Sequence, residues 1–404
     1  MPGASIVVGQ QDYVSSGYAA SEDGMNFPES VSMDPKGNLW VADYANNRVI
    51  EYAAPFANGE SASLVIGQPN LASNAPATSQ NGLAGPDGLA FDAQGNLWVA
   101  DYYNNRLLEF QPPFTSDEPA SLVVGQSSFD AGKSATTQNG LSSPQDLAFD
   151  SKGNLWVADF RNDRVLEFQP PFATNESASL VIGQSGFTAA EPLTAQNHLY
   201  FPEDLAFDSK GDLWVADTFN SRVLEYQAPF TNGESAYLVL GQPSFTQNAT
   251  TILSYLNALN YGLEGTTQQD LYNPGALAFD NRGDLWVADS YNNRIMEFAP
   301  PFTSGMPAYR QIGQQDFTTN SPATAQNTVS HPQGMTFDNQ GDLWVADTAN
   351  SRVLEYTAAS ITSQPASGGG QSSLLLPATL AIFGAVMVAT YLVVRQRRRA
   401  GTRA

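Results

Sequence analysis

Residues 154–168 read NLWVADFRNDRVLEF, and this stretch decides the fold. Two short runs of aliphatic and aromatic residues flank a polar segment, which is typical of two β-strands joined by a hairpin. In the first run Leu155 and Val157 point to one face of the strand, and Trp156 points to the other. Because both faces are apolar, we expect this strand to be covered on both sides.

The same motif occurs six times, and each copy holds one of the six tryptophans. It reads GNLWVAD in the first three copies and GDLWVAD in the last three, around Trp40, Trp98, Trp156, Trp214, Trp286 and Trp344. The steps between these tryptophans are 58, 58, 58, 72 and 58 residues. Each copy reads as four short strands, A to D, bounded by Gly, Pro, Asn and Asp. Six such units predict an all-β, six-bladed β-propeller with four-stranded blades.

The two ends of the repeat region are out of phase by one strand. The chain begins with a D-type strand at 5–10, without strands A to C before it, and its sixth unit ends with strand C at 352–356. An open strand edge favours unwanted pairing. We therefore predict that the N-terminal strand completes the last blade and closes the ring.

The repeated pattern G-[ND]-L-W-V-A-D-x-x-N-x-R-[VIL] resembles the NHL repeat, whose family forms six-bladed propellers. The resemblance covers about residues 1–357. It implies the fold but not the function, because the family includes extracellular sensor and adhesion domains, RNA-binding propellers and metal-dependent lyases. This sequence departs from the family in its longer repeat and in its invariant Trp.

The composition excludes several classes of site. The 404 residues include no cysteine and two histidines, so thiolate metal sites and a three-histidine zinc site are excluded. Residues 1–357 carry a net charge of −27, which would repel a phosphate backbone, so we expect no nucleic-acid partner.

The C-terminal composition predicts a membrane anchor. We divide the chain into a propeller (1–357), a flexible Ser/Gly/Ala linker (358–373), a transmembrane helix (374–394) and a basic tail (395–404). Five arginines in the tail favour a cytoplasmic C-terminus, so we expect a single-pass protein with the propeller outside the cell membrane. The first ten residues do not resemble an export signal. We therefore expect either a signal upstream of Met1 or insertion directed by the anchor alone.

The start of strand A is the first candidate site, because strand A of a propeller lines the central channel. Carboxylates follow the opening proline of strand A in four blades, at Glu29, Asp87, Asp146, Glu203 and Asp204. Converging oxygen ligands suit Ca²⁺, and lactonase-like and lyase-like propellers hold metals at the corresponding place. The alternative is a solvated acidic rim without a cofactor.

Two further groups of residues recur or stand out. We interpret the Asp and Arg of each motif, such as Asp43 and Arg48, as a hairpin clamp, and the six tryptophans as packing between blades. A 14-residue excess lies in the connection 243–273. It forms a candidate amphipathic helix that either plugs the channel or contacts a partner through Ile252, Leu253, Tyr255, Leu256, Leu259 and Tyr261.

These features predict a non-enzymatic binding scaffold that presents long loops on one face to an extracellular protein or glycan. The alternative is a metal-dependent lyase or lactonase-like enzyme at the channel mouth.

Overall fold

The computed structural model describes residues 1–247 and 266–362. Within them the chain forms six separate four-stranded antiparallel sheets, each in the order A-B-C-D. The inner A strands of neighbouring blades contact one another around a central channel. The prediction of an all-β, six-bladed propeller is therefore confirmed.

The inner two strands of the blades carry the repeated motif. Strand A of blades 1 to 6 is β2 (Pro28–Met33), β6 (Pro86–Phe91), β10 (Leu147–Phe149), β14 (Pro202–Phe207), β18 (Pro274–Phe279) and β22 (Pro332–Phe337). Strand B is β3 (Leu39–Asp43), β7 (Leu97–Asp101), β11 (Leu155–Asp159), β15 (Leu213–Asp217), β19 (Leu285–Asp289) and β23 (Leu343–Asp347).

The outer two strands complete each blade. Strand C is β4 (Arg48–Tyr52), β8 (Arg106–Phe110), β12 (Arg164–Phe168), β16 (Arg222–Tyr226), β20 (Arg294–Phe298) and β24 (Arg352–Tyr356). Strand D is β5 (Leu64–Ile66), β9 (Leu122–Val124), β13 (Leu180–Ile182), β17 (Leu238–Leu240), β21 (Arg310–Ile312) and, for blade 6, β1 (Ile6–Val8). A 3₁₀ turn joins B to C in each blade, at Tyr44–Asn46, Tyr102–Asn104, Phe160–Asn162, Thr218–Asn220, Ser290–Asn292 and Thr348–Asn350.

The chain ends close the ring as predicted. β1 pairs antiparallel with β24, with Val7 opposite Leu354. The Ser5 amide donates to the Glu355 carbonyl at 2.8 Å, and the Ala4 amide donates to the Gln326 carbonyl at 2.8 Å. Blade 6 therefore has no open outer edge at strand C.

Each tryptophan is fully buried between two blades. Trp40 of blade 1 packs edge-on against Phe91 and Phe114 of blade 2, with ring centroids 5.8 and 4.9 Å apart. All six tryptophans are 0 % exposed. Apolar contact between these buried rings thus helps to join the separate sheets into one ring.

The Asp and Arg of each motif form a buried ion pair across the B–C turn. Arg48 Nε donates to Asp43 Oδ2 at 2.7 Å, and neither side chain is exposed. Arg48 Nη2 donates to the carbonyl oxygens of Ser21 and Gly24 in the preceding D-to-A loop, at 2.9 and 2.8 Å. The pair therefore ties the hairpin to the loop that enters the blade.

The propeller extends slightly beyond the boundary that the composition indicates. The expected linker starts at residue 358, but Ala358–Thr362 form a short helix, α1. Ile361 is 3 % exposed within the core of blade 6, and Arg310 Nη1 donates to the Ile361 carbonyl at 2.9 Å. The Ala358 amide also donates to Asp342 Oδ1 at 2.7 Å, so the buried Ile361 and two hydrogen bonds hold this helix against the propeller. The rest of the expected linker, the expected transmembrane helix 374–394 and the tail lie outside the described residues.

Within the described ranges, no helix combines the length and the apolar character needed to cross a bilayer.

Candidate functional site at the channel mouth

A β-bulge at the start of strand A aims side chains into the channel. In blade 4 Pro202 pairs with Asp217 and Asp204 pairs with Ala216, so Glu203 is an extra residue in the ladder. The same shift occurs in blades 1, 5 and 6, and a related one occurs in blade 2. Bulges re-aim side chains that would otherwise alternate between faces. Consecutive residues such as Glu203 and Asp204 can therefore both face the channel.

The five carboxylates singled out in the sequence come together at one opening, the channel mouth. Its eleven lining residues are Glu29, Ser30, Asp87, Gly88, Gln145, Asp146, Glu203, Asp204, Gly275, Gln333 and Gly334. They surround a small cavity of about 20 Å³, which is partly open to solvent. None of these lining residues is basic, so the mouth concentrates negative charge.

Glycines let the inner strands approach closely at this level. A Cβ on Gly88 would lie 2.5 Å from the Gln145 carbonyl oxygen. A Cβ on Gly334 would lie 2.6 Å from the Glu29 carbonyl oxygen. Any side chain at these two positions would force neighbouring blades apart. The narrow mouth thus depends on glycine at position 88 in blade 2 and at position 334 in blade 6.

The two central aspartates have strongly perturbed acidity. Burial raises the pKa of Asp146 to about 7, although the Leu205 amide donates to Asp146 Oδ2 at 3.2 Å. Burial and the charge of Asp146 raise the pKa of Asp204 well above its ordinary value of 3.8. Both side chains remain partly exposed to the channel. The mouth therefore favours either a proton or a cation between these groups.

The amide of Gln145 adds an unsatisfied oxygen to the mouth. Gln145 Nε2 donates to Asp87 Oδ2 at 3.4 Å, whereas Gln145 Oε1 is buried and has no hydrogen-bond partner among the described residues. A buried carbonyl oxygen without a donor is costly unless water or a cation approaches it. Gln333 lies beside His331, whose Nε2 is 3.0 Å from Gln333 Nε2, so this histidine sits behind the lining.

This donor set fits a hard cation. Ca²⁺ takes six to eight oxygen ligands from carboxylates, amide carbonyls and water. The mouth offers carboxylate and amide oxygens, and it has no sulfur or directly lining imidazole. The residues therefore fit Ca²⁺ better than zinc or copper.

Aromatic rings surround part of the mouth on the loop face. This aromatic collar consists of Tyr44, Tyr102, Tyr103, Phe160, Phe201 and Phe219. Phe160 stacks on Phe201 with centroids 4.5 Å apart, and Tyr44 Oη lies 2.6 Å from Tyr103 Oη. Tyr103, Phe201 and Phe219 are partly exposed. The backbone places the collar beside the mouth, because the Tyr102 amide donates to the carbonyl of Gly85, two residues before Asp87.

The first residue of the B–C turn differs between the two halves of the ring. It is aromatic in blades 1 to 3, but it is Thr218, Ser290 and Thr348 in blades 4 to 6. These three hydroxyl groups donate to the carbonyl of the proline that opens the next blade, at 2.6 to 2.7 Å. The residues that carry these hydroxyl groups are buried. Aromatic rings continue into blade 5, where Tyr291 packs against Tyr272 and His331 with ring centroids 5.1 and 4.8 Å apart.

Several sequence-based expectations remain outside the described residues. The candidate contact residues Ile252, Leu253, Tyr255, Leu256, Leu259 and Tyr261 all lie in the segment 248–265, so the plug and the partner patch both stay predictions.

The NHL repeat family matches residues 25–52, 83–110, 141–168, 199–226, 271–298 and 330–356, which is one match in each blade. The chain is an NHL-repeat β-propeller. The matched segments run from the end of each D-to-A loop through strand C, so they include the clamp and the channel mouth.

The chain is also similar, at low identity, to several curated proteins, among them an amidating monooxygenase and an amidating lyase. Peptidyl-glycine alpha-amidating monooxygenase B of Xenopus laevis is 23% identical over 306 residues, which cover 67% of this chain and 33% of that protein. Peptidyl-alpha-hydroxyglycine alpha-amidating lyase 2 of Drosophila melanogaster is 23% identical over 292 residues, covering 61% of this chain and 69% of that protein. The chain thus spans about a third of the length of the Xenopus protein.

A solved structure supports the fold alone. A Bacteroides thetaiotaomicron protein of unknown function superimposes with a TM-score of 0.55 at 12% identity, covering 87% of this chain and 74% of that chain.

The acidity of Asp146 gives a pH-dependent prediction for the metal-free protein. A carboxyl group whose folded-state pKa is raised contributes stability at low pH, and this contribution is lost as the pH rises toward about 7. We expect Asp146→Asn to increase the free energy of unfolding more at about pH 8 than at about pH 5. Urea unfolding in the presence of a chelator measures this difference. Asp130→Asn, which removes the same charge from an exposed loop, should show no such pH dependence. Equal behaviour of the two variants would contradict the assignment.

Proposed function

We propose that this propeller is a non-enzymatic binding protein that holds a Ca²⁺-type cation at the channel mouth and uses it to bind an extracellular glycan. The observation that carries the proposal is the convergence of five carboxylates with the unpartnered Oε1 of Gln145, in a lining without a basic residue. A cation there would neutralise the cluster and keep coordination positions open toward the loop face. Hydroxyl oxygens of a ligand could fill those positions.

The surroundings of the mouth favour a ligand with one apolar face and a polar rim. The collar rings in blades 1 to 4 offer flat apolar surfaces, of which Tyr103, Phe201 and Phe219 are partly exposed. The carboxylates of the mouth offer hydrogen-bond acceptors beside these rings. A sugar ring has a face of C–H groups and a rim of hydroxyl groups, so it suits both the rings and the carboxylates.

A second candidate is a metal-dependent lyase or lactonase-like enzyme at the same mouth. The similarity to a Drosophila protein named as a lyase, over 69% of that protein's length, favours it. In such an enzyme the cation would polarise an oxygen of the substrate, and a carboxylate of the mouth would accept a proton. Binding without turnover of the bound ligand distinguishes the first candidate from the second.

Calorimetric titration of the metal-free protein with CaCl₂ tests the cation site. We expect the variant carrying Asp87→Asn, Asp146→Asn and Glu203→Gln to bind one Ca²⁺ fewer per chain, or to bind it at least about tenfold more weakly, since three charged ligands are lost. The matched control carries Asp12→Asn, Asp130→Asn and Asp316→Asn, which removes three exposed carboxylates from the loops of the same face. If the two triple variants bind Ca²⁺ alike, the channel mouth is not the site.

The place of action is part of the same proposal. We propose that the propeller is held outside the cell membrane by the segment 374–394, with the arginine-rich tail in the cytoplasm, as the charge asymmetry indicates. Protease added to intact cells should then release the propeller. A propeller that survives this treatment and is cleaved only after lysis would refute the orientation.

A further inference from the structure

A second carboxylate cluster lies at the opposite end of the blades, in the turn between strands A and B. Each blade places there an Asp, the residue four positions later and a Glu of strand C. In blade 3 these are Asp150, Asn154 and Glu167. Asn154 Nδ2 donates to Asp150 Oδ2 at 2.8 Å and to Glu167 Oε1 at 3.0 Å. Blades 1 and 2 repeat this bridge, so an amide nitrogen separates the two carboxylates in all three blades.

In blades 4 to 6 an Asp replaces the bridging Asn, which is the difference between GDLWVAD and GNLWVAD. In blade 5 the side chain of Arg282 offsets the repulsion between the three carboxylates. Arg282 Nη2 lies 2.6 Å from Asp280, 3.0 Å from Asp284 and 2.9 Å from Glu297. One guanidinium therefore contacts all three carboxylates of blade 5, and Arg310 Nε lies a further 3.6 Å from Glu297 Oε2.

Blade 4 has the same three carboxylates without that group. Oxygens of Asp208, Asp212 and Glu225 lie within 4.8 Å of one another. Lys210 in the same turn joins none of the ion pairs formed by residues 1–247 and 266–362. Asp212 is 7 % exposed and Glu225 is 4 % exposed, so solvent screens their repulsion poorly.

Two partners present in other blades are missing around Glu225 and Asp208. Ser179 Oγ donates to Glu167 in blade 3, but Tyr237 stands at the matching position in blade 4. The indole nitrogen of the motif Trp donates to the first Asp of the turn in the other five blades, at 3.2 to 3.4 Å. Trp214 Nε1, which is fully buried beside the cluster, has no partner within the described part of the chain. Asp208 therefore lacks a hydrogen bond that the corresponding Asp accepts in the other five blades.

We infer that the blade 4 cluster of Asp208, Asp212 and Glu225 is a second site for a divalent cation of the Ca²⁺ class. Three carboxylates supply hard oxygen ligands, and the partial exposure of Asp208 leaves access for the ion and its water ligands. The ion takes the central place that Arg282 fills in blade 5 and that an asparagine amide fills in blades 1 to 3. Blade 6 is a poorer candidate, because Ser5 Oγ still donates to Glu355 and Trp344 Nε1 still donates to Asp338.

Terbium luminescence in the full-length protein tests this site, because Tb³⁺ replaces Ca²⁺ and is sensitised by a nearby indole such as Trp214. The variant Asp212→Asn carries the residue found at this position in blades 1 to 3. We expect it to weaken the apparent affinity for Tb³⁺, as measured by the sensitised luminescence, at least about tenfold. Asp284→Asn is the matched control, since Arg282 already neutralises that cluster in blade 5, and it should titrate like the wild type. Near-ultraviolet circular dichroism checks the folding of each variant, and Glu225→Gln serves as the second test variant.

The same titration in the channel-mouth triple variant separates this site from the one proposed above. In the channel-mouth triple variant, the remaining Tb³⁺ signal should disappear when the further substitution Asp212→Asn is introduced. A signal that is unchanged by Asp212→Asn and by Glu225→Gln, in both backgrounds, overturns the blade 4 site. Loss of the mouth site alone leaves the blade 4 titration intact, so the two proposals fail independently.

Discussion

The buried Asp–Arg pair of each blade is the interaction on which the functional face depends. In blade 2 Arg106 Nε contacts Asp101 at 2.7 Å, while Arg106 Nη2 binds the carbonyls of Ser79 and Gly82 at 2.8 and 2.9 Å. Arg106 Nη1 donates to the Phe129 carbonyl in the next loop. A buried ion pair is tolerated when hydrogen bonds satisfy its remaining groups, and removing one partner typically costs about 3–5 kcal/mol. One guanidinium thus orders two D-to-A loops at once.

This clamp and the β-bulge act on the same few residues. Asp101 Oδ1 accepts the Ala84 amide at 2.7 Å, which fixes the chain just before Pro86 opens strand A. The bulge then follows directly and aims Asp87 at the channel. Because the clamp is repeated without change, the scaffold stays constant while the residues after each proline vary. The acidic mouth is therefore a variable surface on an invariant frame, which is how propellers acquire different functions.

Much of this architecture could be predicted from the sequence. The spacing of the tryptophans predicted the six blades, and the strands missing at the two ends of the repeat region predicted the ring closure. Alignment of the repeats on the proline that opens strand A predicted the carboxylates of the mouth. Strand alternation would aim only one of Glu203 and Asp204 at the channel, because it is the bulge of blade 4 that breaks the period of two. The collar was missed since Phe160 and Phe201 come from different loops, 41 positions apart. The sequence does contain a signal for the blade 4 cluster, which is the change from GNLW to GDLW. This change could not be interpreted from the sequence, because the third carboxylate comes from strand C and only folding brings it close to the other two.

We propose that the propeller is a cation-binding ring whose mouth is built from carboxylates of several blades. Anomalous diffraction from crystals of the propeller grown with Tb³⁺ is the decisive measurement, because it locates the ion without reference to activity. We expect a peak at the mouth, within coordination distance of oxygens from Asp87, Asp146 and Glu203. Well-ordered density at the mouth that contains only water, with hydrogen bonds between protonated carboxyl groups in place of an ion, would contradict it.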